Sequence, residues 1–219
     1  MRIHFLVPLI VCALQPSTLL ALSESHEPIA FPSEPVAEDP ENLSERIAGD
    51  PANPELYMKR GRALALLGDT LAAADDFEQV IAIAPTPDAY LERAQTLVAA
   101  DDGQIEDALF GLDEGLSVLG PVVALTELAI ELELKQGNYD AALMRLVEVA
   151  ANTPRRDPWL TRSAEILEQA GRLDEAQMTY QDALAALETL PSHRRNTRAS
   201  IMIEDRIHTA LDRLSTATR

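Results

Sequence analysis

From about residue 54 onward, apolar side chains return every three or four positions, the spacing that lines one face of a helix. Tyr57, Gly61 and Leu64 mark one such stripe, and Leu160, Ala164 and Leu167 another. The stripes run into glycines that keep a period: Gly68, Gly103, Gly137 and Gly171 are 35, 34 and 34 residues apart. Five residues after each glycine stands an alanine, Ala73, Ala108, Ala142 and Ala176. Four residues further on comes a large side chain, Phe77, Leu112, Leu146 and Tyr180. Prolines hold the same pitch at Pro51, Pro85 and Pro154, with Gly120-Pro121 in the intermediate slot. A fixed period of this length signals stacked repeats. Each unit reads as a helix, a glycine whose positive φ ends it, and a second helix. The alanine is small because the two helices cross there at close range, and the proline stops one helix or starts the next.

The pattern resembles the tetratricopeptide repeat family, whose unit is a helix-turn-helix of 34 residues with small side chains at the eighth and twentieth positions and a proline near the end. The stretches "PELYMKRGRALALLGDTLAAADDFEQVIAIAP" and "DPWLTRSAEILEQAGRLDEAQMTYQDALAAL" carry the resemblance. The third unit departs from it with Ile130 at a small-residue position, and the second carries about two extra residues around Asp101-Asp102. The first helix or turn of that second unit is therefore expected to be irregular. The resemblance implies an all-α fold, an α-solenoid wound as a right-handed superhelix of about four units, at 54–86, 87–120, 121–154 and 155–190. Leu43, Ile47 and Pro51 sit one period before Phe77, Ile81 and Pro85, so the array is expected to begin at residue 43 with a half-repeat cap. At its other end Pro191 breaks the last repeat helix. Ile203, Ile207, Leu211 and Leu214 then form an apolar stripe, with Arg206 and Arg213 outside it, which predicts a capping helix within 191–219.

The first 21 residues have a basic start at Arg2, an apolar run from Phe5 to Leu14 and a polar break, Gln15-Pro16-Ser17-Thr18. They read as an export signal cleaved after Ala21, which places the mature protein in the periplasm or outside the cell, with no stable membrane insertion. "LIVC", ending at Cys12, faintly resembles a lipobox, but Val11 stands where a small residue is expected. Cleavage after Ala21 removes the only cysteine, and with it any disulfide or thiol chemistry. Residues 22–42, rich in Pro and Glu, read as an acidic, flexible tether in which Ile29-Ala30-Phe31 is the one apolar cluster.

Composition narrows the function. Aromatic residues make up 4% of the chain, and the formal net charge is -18, an excess that repels a phosphate backbone and argues against nucleic acid. The cluster Lys59, Arg60 and Arg62 points in different directions around one helix and makes no patch. Arg60 is expected to pair with Asp75 or Asp76 within its unit. The histidines His4, His26, His193 and His208 lack metal-ligand spacing, and no phosphate loop or nucleophile motif is present. Neighbouring carboxylates such as Asp75-Asp76 diverge on a helix. The reading is of a non-enzyme, with no catalytic residues, no cofactor and no metal. Trp159 is expected to pack against the preceding repeat.

What remains is an interaction scaffold of the cell envelope, holding a peptide or partner protein in the concave groove. Its alternative is a structural subunit or regulator of an exported complex, assembling through the convex face or the C-terminal helix. The resemblance implies a groove lined by Met58 and Arg62, Leu91 and Gln95, Glu127 and Glu131, and Thr161, Glu165 and Glu168. Met58 and Arg62 stand where one branch of the family grips carboxylates with Lys and Asn, so that ligand is not implied. The glutamates together predict a partner segment carrying Lys or Arg at one end.

Overall fold

The structure, a computed structural model, describes residues 38–100, 104–151 and 153–217. The export signal, Cys12, His4, His26, Ile29-Ala30-Phe31 and Gly103 fall outside the described residues. Eleven helices follow one another, with no strand among the described residues. A lone helix α1 (Pro40–Gly49) precedes four pairs: α2 (Pro54–Leu67) with α3 (Thr70–Ile83), α4 (Pro87–Ala100) with α5 (Ile105–Leu119), α6 (Val123–Lys135) with α7 (Tyr139–Ala151), and α8 (Asp157–Gln169) with α9 (Leu173–Glu188). A single turn, α10 (Ser192–Arg195), leads into α11 (Arg198–Ala217). From α1 to α9 each helix packs against the next, as in an all-α solenoid of helical repeats.

Local chemistry sets the boundaries. Asp39 and Asn53 cap α1 and α2, their side chains accepting from the backbone N–H of Glu41 and Glu55 at 3.1 Å, and a proline opens each helix. Three of the periodic glycines end the first helix of their unit in one repeated motif. Gly68 (φ 84), Gly137 (φ 77) and Gly171 (φ 74) donate to the carbonyls of Ala65, Leu134 and Glu168, and the next N–H reaches back one residue further. A side chain at that φ would be strained, which is why glycine recurs there.

The periodic alanines lie where expected. Ala73, Ala108, Ala142 and Ala176 are wholly buried, and Phe77, Leu112, Leu146 and Tyr180 are buried beside them. At Gly61 the close crossing leaves no room for a side chain, since an added Cβ would stand 2.8 Å from Cε1 of Phe77. Ile130, large at a small-residue position, is buried in a cluster with Ala142, Leu146 and Ile166. The first helix of the second unit is regular, α4 having 14 residues like α2, and Asp101-Asp102, around which the extra residues were expected, lie outside the described residues.

Both ends are closed by helices. At the first, Leu43 and Ile47 of α1 pack on Leu56 and Ala63. Arg60 ties this end together, donating to both Asp76 oxygens at 2.7 and 2.8 Å and to Ser44 Oγ at 2.9 Å, and so joins α2 to α3 and α1. At the far end α11 lies on α9 and α8 and buries Ile207, Ala210 and Leu214. First helices meet along one side of the stack, α4 against α6 and α8 against α11, while α3, α5, α7 and α9 share no comparable packing with each other. The first helices therefore form the inner side and the second helices the outer.

Candidate protein-binding groove

Along the inner side the groove residues separate into three recesses. Glu127 and Glu131, one turn apart on α6, face Pro158, Trp159, Arg162 and Glu165 of α8 across a cleft of about 440 Å³, closed at one end by Ile203 and Arg206 of α11. Met58 and Arg62 line a smaller recess of about 330 Å³ with Pro54, Lys59 and Val80. Glu168 belongs to a third, of about 500 Å³, with Tyr180, Met202 and Arg213. Leu91 is half-buried against the core around α4 to α6, and Gln95 is exposed. Arg62 donates to Glu92 of the next unit at 2.7 Å.

The four glutamates do not make one open acidic pocket. Glu165 is held by Arg162 at 3.3 Å and by Arg206 at 3.4 Å, and Glu168 by Arg213 at 2.5 Å. The cause is α11, which occupies the place of a fifth first helix and turns Arg206 and Arg213 toward α8. Thr161 is buried, its hydroxyl donating to the carbonyl of Asp157 at 2.8 Å, so it shapes the cleft wall from behind. Glu127 and Glu131 remain exposed and carry the open negative charge of the cleft. Burial, followed by the nearby carboxylates of Glu168 and Glu165, pushes the Tyr180 phenol up to about 12.

Sequence reasoning missed several residues of this region. Trp159 packs on the Ile130–Leu146 cluster of the preceding unit, as expected, yet it also presents a face to the cleft. A polar latch fixes the end of α11 nearest α8. Arg155 donates to both oxygens of the wholly buried Asp157 at 2.9 to 3.1 Å, and to the buried Ser200 at 2.8 Å. Ser200 in turn donates to the carbonyl of Arg194 at 2.8 Å. The alternation Arg155-Arg156-Asp157 was the one local signal; Ser200 lies 45 residues from Arg155, too far for any pattern to join them. Among the described residues no cluster of His, Cys, Asp and Glu is placed to hold a metal, and no helix is long and apolar enough to cross a membrane.

The family model of the tetratricopeptide repeat matches residues 54–87, the α2–α3 pair with the start of α4. No curated protein matches the sequence. Among solved structures, one of MamA protein superposes with a TM-score of 0.54 at 17% identity, over 68% of this chain and 81% of its own. The MamA 41-end structure from Desulfovibrio magneticus RS-1 does so with a TM-score of 0.50 at 17% identity, over 70% of this chain and 88% of its own. At such identities the likeness is one of fold. With the repeat recognised in its first unit and the same pairwise stacking carried through the later units, this chain carries a tetratricopeptide repeat at residues 54–87 and shares the helical-repeat solenoid fold of these structures.

Proposed function

We propose that the protein is a non-enzymatic interaction scaffold of the cell envelope, and that its inner cleft between α6, α8 and α11 holds a segment of a partner protein. The observation that carries the reading is the pairing, in one recess, of two exposed carboxylates, Glu127 and Glu131, with an apolar wall from Trp159, Ile130 and Ile203. Such a cleft suits a segment with one Lys or Arg beside an apolar anchor: the carboxylates steer the cation and the wall supplies contact area. Glu165 and Glu168 take the different role of binding α11, already neutralised by arginines.

The test is the double charge reversal Glu127→Lys with Glu131→Lys, applied to the protein and whichever partner co-purifies from its host. Affinity should fall and its salt dependence flatten, with the melting temperature little changed, because both side chains are exposed. Unchanged affinity would remove the cleft from consideration. Export rests on the sequence of residues 1–21, and intact mass of protein from the native host should begin near Leu22; a mass that retains Met1 through Ala21 rejects it.

A further inference from the structure

The outer face carries a pattern that the inner groove does not use. Two residues after the buried alanines of the second, third and fourth units stand Phe110, Met144 and Met178, which are 74%, 68% and 58% exposed. They occupy one and the same position of α5, α7 and α9, with the 34-residue period between them. Four residues before each is a carboxylate, Glu106, Asp140 and Asp174, and four residues after each is another, Glu114, Glu148 and Asp182. All six are exposed. Since residues four apart lie one above the other on a helix, the outer face has an apolar row bordered on both sides by acidic rows. The first unit departs from the pattern: Leu71, Asp75 and Gln79 fill the equivalent positions of α3.

Two ion pairs hold the rows together. Arg145 of α7 reaches back to Asp113 of α5 at 2.5 Å, and Arg172, just ahead of α9, to Asp140 of α7 at 2.7 Å. The same pairs commit these two cations, each of which also binds a second carboxylate, Glu133 for Arg145 and Glu175 for Arg172. With Asp140 paired to Arg172, the face is apolar along its middle, and its borders present the exposed carboxylates of Glu106, Glu114, Asp174 and Asp182.

We infer that this outer face of α5, α7 and α9 docks a cationic amphipathic helix of another protein, its apolar stripe on Phe110, Met144 and Met178 and its flanking Lys and Arg on the acidic rows. Charge complementarity selects that occupant. A second copy of this chain would set acidic rows against each other, and an anionic lipid surface would be repelled. A helix with cations on both borders of an apolar stripe meets all three rows at once.

The probe is a synthetic helical peptide of Leu and Lys in amphipathic order, titrated into the full chain by calorimetry, beside a Leu and Glu peptide of the same pattern. The Leu and Lys peptide should bind, more weakly as salt rises, and the Leu and Glu peptide should not. The triple variant Phe110→Ser, Met144→Ser, Met178→Ser should weaken binding by about tenfold or more. Leu71→Ser, an exposed apolar change outside the rows, should leave it as it is, and circular dichroism melts confirm that each variant is folded. No binding by the wild type, or equal binding by the triple variant, overturns the inference. So does loss of binding only in the Glu127→Lys, Glu131→Lys variant, which would place the peptide in the inner cleft. Sedimentation showing a wild-type dimer that the triple variant abolishes would assign the face to a second copy and equally overturn it.

Discussion

Removal of the Arg155 side chain puts the joint between the array and its terminal helix to a quantitative test. Asp157 is wholly buried, and the three N–H contacts from Arg155 neutralise it there. Truncating one partner of a buried pair leaves the other charge stranded, at a cost of about 3 to 5 kcal/mol. The two directions are unequal, because the Arg155 side chain is 30% exposed and that of Asp157 only 1%. A guanidinium stranded by Asp157→Ala can turn to water, so that change should cost about 2 kcal/mol, whereas Arg155→Ala strands a carboxylate out of reach of water and should cost about 3 or more. Ser200→Ala, which removes a neutral partner, should cost about 1. Urea unfolding gives these values, and a double-mutant cycle of Arg155→Ala with Asp157→Ala should return a coupling of about 1 to 3 kcal/mol. Hydrogen exchange should show α11 losing protection ahead of the earlier units, since the latch sits at its start. A coupling within about 0.5 kcal/mol of zero, or Asp157→Ala proving the more damaging of the two, would refute the reasoning.

Ala142→Leu or Ala176→Leu should overpack a helix crossing that leaves the alanine no exposure and should destabilise by about 1 to 3 kcal/mol, read from melting curves. Tyr180, with its phenol raised to about 12, keeps its proton in the folded state after an unfolded tyrosine would have lost it at about 10. Its contribution to stability is therefore complete below about pH 10 and declines as pH rises toward 12. Tyr180→Phe should flatten that decline and remove the highest step from a tyrosinate absorbance titration.

Much of the architecture could be read from the chain because it rests on local rules that recur from unit to unit. A glycine at positive φ, an alanine at a crossing and a large side chain one turn later each have a cause within one helical pair, and the 34-residue period repeats that cause until it stands out. The end caps were readable for a related reason, since Leu43 with Ile47 and Ile207 with Leu214 keep helical spacing where the period runs out. That Arg60 pairs with Asp75 or Asp76 followed from the crossing of two helices in one unit, and the structure selects Asp76.

The charge of the groove was different. Glu131 and Glu165 share a periodic position, with Glu127 one turn before the first and Glu168 one turn after the second, but whether a carboxylate stands open or paired depends on what a helix some 40 residues away turns toward it. Arg206 meets Glu165 across 41 residues and Arg213 meets Glu168 across 45, distances at which no periodic pattern carries information. The Arg155–Asp157–Ser200 latch escaped notice for the same reason. Repetition in a sequence reports the contacts that every unit makes; the contacts made once, where the stack ends and α11 takes the place of a further unit, are set by docking geometry. At this end of the groove those single contacts decide which charges stay open.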